Sequence, residues 1–477
     1  MLVRLYNLAM DTTLTGKIEA LTKDLEKGLV ERQRAVRLCL LTALAGEHSL
    51  LIGPPGTAKS ELARRLHTVF RDARYFERLL TRFTVPEELF GPLSIKALEE
   101  DRYERHIAGF LPDAVVAFID EVFKANSAIL NALLTLLNER EFDNGAGRQR
   151  CPLVSLVGAT NNVPEDEVSE AFFDRFLLRL PVAAVSVAGF GALLKADPVR
   201  QWQPPSYNQT LTMAELQELA NVAARVELPE TVVTMLGELR VYLAAEDLRV
   251  PVSDRRWVKI VGLLRVAAAT EGRSAVAIWD LLLLPWLTAP DEVRQLAVAD
   301  WLTSRLGVRQ AFAPARLTLI VEAFERTLDA EQKANDLDYD ESGRLQFSAM
   351  DIAGEIGDAK GGAAALRMQY NRRRLYGETH IRARRVQMDD LLARIAFYVQ
   401  EVTMHQSDLQ HYAARSVWLD PALIQRAKEH LAATYAAVTQ LAQRAATLRE
   451  GFAQLPRLAV DNAKIPEPIL HDPLEVA

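Results

Sequence analysis

An eight-residue loop carries the clearest chemical signal in this chain. It reads Gly53-Pro54-Pro55-Gly56-Thr57-Ala58-Lys59-Ser60. The apolar run before it predicts a strand and the residues after it a helix, an arrangement that presents backbone N–H groups and the positive helix end to an anion. The whole loop is therefore a candidate for binding a nucleotide, with Lys59 placed to reach the β- and γ-phosphates and the Ser60 hydroxyl to hold Mg²⁺. A simple Pro/Gly turn before a helix is the alternative interpretation.

Ala58 departs from the common form of such a loop, which has a second glycine at that position. Glycine is required only where φ is positive or where another backbone approaches closely. We therefore expect Ala58 to have right-handed helical or bridging dihedrals, with Gly53 and Gly56 making the turn. On this interpretation the site works despite the alanine.

Two carboxylates end an apolar run further along the chain, in Val115-Val116-Ala117-Phe118-Ile119-Asp120-Glu121. Asp120 is placed to complete the Mg²⁺ shell, and Glu121 to polarise an attacking water as general base. Paired acids at the end of a strand are common on ordinary surfaces. Behind a phosphate loop, however, they predict a site for nucleotide hydrolysis.

A third apolar run, Leu156-Val157-Gly158-Ala159, ends in Thr160-Asn161-Asn162. An amide at that point is placed to orient the water between Glu121 and the γ-phosphate. We favour Asn161 over Asn162 for this role, and an Asn-rich turn without chemistry is the alternative.

Arginines follow in two predicted helices. Arg175 ends the short amphipathic stretch 170–176, from which it is placed to reach the nucleotide of a neighbouring subunit and stabilise transition-state charge. Arg255 or Arg256, at the start of a later helix, is placed to reach the γ-phosphate from a helical lid, and we favour Arg255. The alternatives are a surface ion pair for the first arginine and a solvated helix residue for the second.

The elements that must hold these residues form an α/β pattern. Short apolar runs alternate with helical segments from about residue 49 to 181, which predicts a three-layer α/β domain with a parallel sheet covered on both faces. Helical spacing before residue 45, a Pro-rich connector at 201–206 and all-helical sequence from 212 onward complete the pattern. We predict an α/β core at 1–208, a small helical subdomain at 209–290 and a mainly helical C-terminal region at 291–477, interrupted near 336–385.

Composition sets outer limits on function. The chain has 477 residues, of which 49% are hydrophobic and 25% charged, and this balance is typical of globular, soluble proteins. No apolar run is long enough to span a membrane, and the N-terminus does not resemble a secretory signal. Cys39 and Cys151 lie in apolar contexts, so we expect two unpaired buried thiols and a cytoplasmic protein. The net charge of −7 argues against nucleic acid as the main partner.

Seven arginines cluster between residues 367 and 385. They are Arg367, Arg372, Arg373, Arg374, Arg382, Arg384 and Arg385. We favour a solvated helix face for this cluster over a docking surface for an acidic partner or nucleic acid.

In order and strand context these motifs resemble those of AAA+ ATPases. The form Gly-x-Pro-Gly-x-Ala-Lys-Ser resembles the MoxR family, in which alanine takes this position, and the wider match resembles its RavA branch. That match covers about residues 15–290 and rests on the stretches Glu26–Arg32, Thr81–Phe83, Pro86–Ser94, Tyr103–Arg105, Ala128–Asn131, Leu133–Leu134, Asn138–Arg140, Ser253–Trp257 and Gly272–Val276.

The resemblance implies a role for each motif. Lys59 and Ser60 resemble Walker A residues, Asp120 and Glu121 Walker B, Asn161 sensor 1, Arg175 the arginine finger and Arg255 sensor 2. Val30, Glu31 and Arg32 lie where this family lines the adenine pocket, with Val30 and Glu31 as the residues expected to hold the base. An insert in the second helix is expected at 90–110 and a β-hairpin insert at 141–152. In relatives such loops touch clients, and four apolar residues of this chain are expected either to do so or to pack in the core: Phe83, Leu89, Phe90 and Leu93.

The resemblance also implies an assembly and a cycle. Its members form hexameric rings that hold ATP and Mg²⁺ between subunits, act on partner proteins in a chaperone-like way and commonly work with a von Willebrand factor A domain protein. RavA proteins also bind a lysine decarboxylase through a β-rich module, but residues 336–385 are too short and too polar for that module. Two alternatives remain: a nucleotide-gated scaffold in which hydrolysis is incidental, and a nucleic-acid motor of the helix-insert type.

Overall fold

The computed structural model describes residues 2–145, 147–163, 167–195, 202–334 and 374–474. The chain divides into two compact units. The first comprises Met1–Leu306 together with Leu409–Ala427, and the second comprises Gly307–Asp408 together with Lys428–Ala477. No described helix combines the length and apolar character that a membrane crossing requires.

A five-stranded parallel sheet forms the centre of the first unit. Its strands are β1 (His48–Ile52), β2 (Tyr75–Leu79), β3 (Val116–Asp120), β6 (Ser155–Thr160) and β7 (Phe176–Pro181), with β4 (Glu141–Asp143) and β5 (Arg148–Arg150) forming a separate hairpin. The order across the sheet is β2-β3-β6-β1-β7. Parallel strands bring their carboxyl ends to one edge, so residues after β1, β3 and β6 meet there.

Eight helices accompany this sheet in the described part of the α/β layer. They are α1 (Leu2–Glu26), α2 (Gln33–Leu44), α3 (Lys59–His67), α4 (Pro86–Phe90), α5 (Ile95–Glu99), α6 (Ser127–Glu139), α7 (Glu167–Phe173) and α8 (Val187–Lys195). Leu50, Ile119 and Leu156 in the central strands are fully buried, because helices cover both faces of the sheet. The predicted three-layer α/β core is confirmed, and the β4–β5 hairpin lies inside the predicted insert.

The rest of the first unit is helical. It contains α9 (Met213–Ala223), α10 (Glu230–Ala244), α11 (Asp254–Thr270), a 3₁₀ turn (Ile278–Leu283), α12 (Pro285–Thr288) and α13 (Glu292–Arg305). A capping box begins α9, in which the Thr212 hydroxyl accepts from the Glu215 N–H at 3.1 Å. Both cysteines are free and buried, as the sequence predicts.

The second unit contains α14 (Pro314–Lys333) and most of two long helices, α15 (Glu378–Arg415) and α16 (Pro421–Ala453). Most of the predicted interruption at 336–385 lies outside the described residues, but α15 is already helical from Glu378, so its end was placed too late. The arginine cluster also needs correction at Arg384. This side chain is buried, and it donates to Glu331 at 2.8 Å and to the Glu467 carbonyl at 2.8 Å.

The predicted boundaries after residues 208 and 290 stay predictions. The residues 409–427 join the first unit although they lie far along the chain. Sequence spacing carried no sign of this return.

Candidate functional site

The phosphate loop runs from the end of β1 to the start of α3. The Gly53 N–H donates to the Thr160 carbonyl at 2.9 Å, and the Val182 N–H donates to the Ile52 carbonyl at 2.7 Å. A Cβ on Gly53 would lie 2.2 Å from the Val182 carbonyl oxygen, so this close approach requires glycine. Gly56 has a φ of +80°, the positive value that the turn requires.

Ala58 corrects our expectation about the loop. It has φ 65° and ψ 28°, which is left-handed rather than right-handed or bridging. Ala58 is the N-cap of α3, where the chain must reverse its hand before the helix begins. When successive residues alternate between right-handed and left-handed backbone conformations, their N–H groups point to the same side of the loop. A loop of this kind binds anions. Alanine therefore holds a conformation that costs an L-residue about 1–2 kcal/mol relative to glycine.

Lys59 joins the loop to the carboxylates after β3. Its Nζ donates to the Gly53 carbonyl at 2.6 Å and to the Pro54 carbonyl at 2.9 Å. Burial lowers the pKa of Lys59, and the charges of Asp120 and Glu121 oppose that shift. One cation and two carboxylates thus share the carboxyl edge of the sheet.

Glu121 is held in a constrained backbone and a defined side-chain position. Its φ is +52°, and its N–H donates to Asp120 Oδ1 at 3.0 Å. The Asn161 amide donates to Glu121 Oε1 at 2.7 Å, and Lys124 Nζ lies 3.3 Å from the same oxygen. Asn162 instead uses its carbonyl, which accepts from the Thr160 hydroxyl at 2.9 Å. The structure therefore brings Asn161, and not Asn162, to the carboxylate.

The segment predicted to line the base pocket adjoins the phosphate loop. Arg32, the last residue of that segment, donates to the Thr57 carbonyl at 3.0 Å and to the Ala183 carbonyl at 2.8 Å. The Glu31 carboxylate accepts from the Ser186 N–H at 2.7 Å and from its hydroxyl at 2.5 Å. These bonds lower the pKa of Glu31. The acidic side chain is thus engaged by protein.

A cavity of about 690 Å³ adjoins Glu31 and Arg32. Its other walls come from the end of β7, from α12 and α13, and from the segment 418–426. Within it Arg34 pairs with Asp420 and lies 5.1 Å from the centre of the Trp286 ring. A late segment of the chain therefore lies beside the predicted base pocket, a position that no sequence pattern indicated.

Two predicted site residues lie at the opposite edge of the sheet. Arg175 directly precedes β7, whose first residue, Phe176, pairs with His48 at the start of β1. Arg255, near the start of α11, lies 3.5 Å from Asp174 Oδ2 at this same amino edge. The phosphate loop leaves β1 at its far end, which is about 16 Å away at roughly 3.3 Å per residue. The structure brings the two arginines together, but not with Lys59.

The two neighbouring arginines of α11 have different environments. Arg255 has a side chain that is 46% exposed. Arg256 is buried and donates to the carbonyls of Leu177 at 2.7 Å, Leu287 at 2.8 Å and Phe176 at 3.0 Å. Burial lowers the pKa of Arg256 to about 10, and Asp174 opposes this shift. Arg256 thus fastens the helical layer to β7, while almost half of the Arg255 side chain stays exposed to solvent.

The four apolar residues expected either to touch clients or to pack in the core differ in their exposure to solvent. Phe83 is 90% exposed. Leu89 and Phe90 are buried, and the Phe90 ring stacks on Phe142 of β4 at 5.3 Å, so a client-contacting role for these two is wrong. Leu93 is half-buried.

A phosphate loop after β1, carboxylates after β3, an amide after β6 and a helical lid together define an AAA+ ATPase. The family models agree with this class. Residues 16–221 match the MoxR domain of MoxR-vWA-beta-propeller ternary systems, and residues 231–302 match an AAA lid domain. The chain belongs to the MoxR family.

Several known proteins are similar to this chain. Two uncharacterized proteins of Methanocaldococcus jannaschii are 40% and 38% identical, over 56% and 59% of this chain and 69% and 74% of their own lengths. The chaperone MoxR1 of Mycobacterium tuberculosis is 27% identical over 42% of this chain and 52% of its own. These matches support the MoxR family, and the narrower RavA branch stays a prediction.

Proposed function

We propose that this chain binds Mg²⁺–ATP at the carboxyl edge of its sheet and hydrolyses it within a ring of identical subunits. The ring is a homohexamer, and its cycle remodels or activates partner proteins. The family supports an ATPase, and the arrangement of side chains supports the remaining steps.

The residues at this edge suit magnesium and a polyphosphate. Ser60 and Asp120 offer a hydroxyl and a carboxylate, and Mg²⁺ prefers oxygen ligands from one or two side chains with phosphates and water completing the shell. When bound, the metal supplies charge neutralisation at the β- and γ-phosphate oxygens. Among the described residues, no group of three or more His, Cys, Asp or Glu side chains forms a metal site of its own.

Each side chain then has a task. Lys59 exchanges its bonds to the loop carbonyls for phosphate oxygens, and the loop N–H groups cradle the anion. Glu121 accepts the proton of the attacking water, while Asn161 fixes the carboxylate by its 2.7 Å bond. Val30 and the Glu31 backbone hold the base.

The observation that carries the proposal is the separation of the arginines from the phosphate loop. Arg175 and Arg255 share the amino edge, whereas Lys59 and Glu121 share the carboxyl edge. One chain therefore presents two halves of a site that it does not complete by itself. A head-to-tail neighbour completes it, because repetition of such a heterologous contact closes into a ring.

The partner follows from the matched family model, whose description places MoxR beside a vWA component and a β-propeller. We propose a protein with a von Willebrand factor A domain as partner. A relative named a chaperone supports remodelling as the outcome of the cycle.

A mixing experiment tests the shared site. Lys59→Gln should abolish ATP binding, and Arg175→Ala should leave binding intact but remove turnover. In randomly mixed rings of the two variants, about a quarter of the sites combine an intact loop with an intact arginine, so partial turnover should return. Mixtures as inactive as either variant alone would show that Arg175 does not act on a neighbour.

Glu121→Gln tests whether turnover drives the function. It should trap ATP in the assembled ring and stop remodelling of any partner that co-purifies with it. Unchanged remodelling would instead support a nucleotide-gated scaffold. Turnover that rises steeply with added DNA, and falls with salt, would support a nucleic-acid motor.

A further inference from the structure

The helix α8 has an unusual composition for its environment. It reads Val-Ala-Gly-Phe-Gly-Ala-Leu-Leu-Lys, and none of its residues is buried. Val187 is 97% exposed, Leu194 71% and Phe190 53%. A helix this short is marginal in water, and each glycine lowers its stability further, so packing on another surface must supply the stability.

The first turn of α8 is fixed to the nucleotide edge. Ser186, directly before the helix, bonds the Glu31 carboxylate through its N–H and hydroxyl at 2.7 and 2.5 Å. Gly189 lies so close that a Cβ there would be 2.3 Å from Glu31 Oε1. The negative charge at the helix N-terminus also suits the helix dipole. The apolar helix therefore stands next to the base pocket, at the edge that receives the neighbouring subunit's arginines.

An exposed apolar patch also lies beside those arginines. Val258 is 73% exposed and follows Arg255 by one helical turn on α11. Val241 on α10 is 75% exposed, and its neighbour Arg240 lies 3.1 Å from Asp254, the first residue of α11. Val241 and Val258, together called the valine patch, are therefore exposed on the helical layer that carries Arg255.

We infer that α8 of one subunit packs on the valine patch of the next subunit, so a second copy of this chain covers both surfaces. This inference rests on the ring proposed above. A head-to-tail contact pairs two different surfaces, and here each surface combines charge with apolar area. Asp120, Glu121 and α8 lie at one edge, and Arg175, Arg255 and the valines belong to the other. The apolar contact stabilises the interface, while the Glu31–Ser186 bonds connect it to the base pocket.

Neutral substitutions on each surface test the pairing. Phe190→Gln with Leu194→Gln breaks the α8 surface, and Val241→Gln with Val258→Gln breaks the patch. Glutamine is a good helix former and leaves the charge of Arg255 unchanged. Val460→Gln, at an 81% exposed position of the second unit, is the matched control.

With ATP, the control should assemble and turn over like the unmodified chain. Each double variant should bind a fluorescent ATP analogue normally, sediment as a monomer and lose at least about tenfold in turnover. An equimolar mixture should form dimers through the one intact pairing, with one completed site for each two chains.

Other outcomes overturn the inference. Normal rings of the α8 variant would show that a different partner covers the helix, and loss of vWA-protein binding by those rings would identify that partner. Normal rings of the valine variant, or a mixture that stays monomeric, would exclude the patch as the covering surface. If the unmodified chain itself neither assembles nor hydrolyses ATP, the proposed function fails instead.

Discussion

Adjacent arginines in α11 should respond oppositely to substitution. Arg256→Ala removes a buried guanidinium that donates to four carbonyls, at 2.7, 2.8, 3.0 and 3.3 Å. Each buried acceptor left without a donor costs about 1–3 kcal/mol, and loss of one partner from a buried charged network costs about 3–5 kcal/mol in total. Because these costs overlap, we expect a loss of about 3–5 kcal/mol in the first unit's free energy of unfolding.

Arg255→Ala should leave stability almost unchanged, because its side chain is 46% exposed and its contact with Asp174 is a weak one at 3.5 Å. Exposed ion pairs contribute about 0–1 kcal/mol. It should, however, remove most turnover while nucleotide binding persists.

Differential scanning calorimetry and steady-state turnover of the two variants measure both effects. Arg256→Ala should lower the midpoint of the first unit's transition by roughly 6–20 °C, at about 2–4 °C per kcal/mol. Arg255→Ala should shift the midpoint by no more than about 4 °C. A stable, inactive Arg256→Ala variant beside a fully active Arg255→Ala variant would refute the assignment and exchange the two roles.

Three further perturbations follow from the same structure. Ala58→Gly should raise stability by about 0.5–1 kcal/mol, because relief of the left-handed strain exceeds the entropy that glycine adds to the unfolded chain. Gly56→Ala, at φ +80°, should instead lower the stability, and thermal melts with a nucleotide-binding check measure both changes. Burial holds the pKa of His48 well below 6.5, so on acidification the unfolded chain binds a proton before the folded chain does. The free energy of unfolding should therefore be full above pH 6.5 and fall by about 1.4 kcal/mol per pH unit below it, a fall that urea titrations should show for the unmodified chain and not for His48→Gln. Burial raises the pKa of Cys39 to about 12 and of Cys151 to about 11, so neither thiol should react with a disulfide reagent at pH 8 until urea unfolds the chain.

The sequence predicted best where one strand and one motif coincide. β3 and β6 are apolar runs that end in polar residues, and β1 ends in Leu50-Leu51-Ile52 directly before the phosphate loop. Parallel pairing then brings those ends together without further information. β2 escaped notice because Glu77 and Arg78 interrupt it at the edge of the sheet, and Arg179 similarly divides the apolar run of β7. Local composition therefore predicted the buried centre of the sheet better than its edges.

The sequence could not predict how the helices and strands pack against one another. Arg255 was expected to approach the γ-phosphate from a lid, but the bonds of Arg256 to β7 hold the start of α11 at the amino edge. Ala58 was expected to be right-handed because its neighbours in sequence do not show the reversal that precedes α3. The Ala58 expectation is wrong and the role of Arg255 stays a prediction, and both positions depend on geometry imposed by packing rather than on the identity of the residues.

A buried polar network explains why residues 409–427 belong to the first unit. Arg273 donates to both Asp280 oxygens at 2.7 and 2.8 Å, and the Tyr412 hydroxyl, from α15, bonds the same carboxylate. Glu271 accepts from the Val417 N–H at 2.9 Å, and Trp418 Nε1 donates to the Thr270 hydroxyl at 2.8 Å. Burial and the Asp280 charge raise the pKa of Tyr412 well above 10, so it remains a donor.

Tyr412→Phe should therefore cost about 1–3 kcal/mol, because it deprives a buried carboxylate of a donor while preserving the ring that packs at 5.1 Å from Arg273. The matched control is Tyr435→Phe, whose hydroxyl belongs to a residue that is 38% exposed and should cost little. Because the network joins the lid turn at 270–280 to the ends of two long helices, the Tyr412→Phe loss should appear in the transition of the first unit and lower turnover in step. A variant that melts like the unmodified chain would show that packing of the ring alone holds the returning segment, and that the carboxylate finds its donors elsewhere.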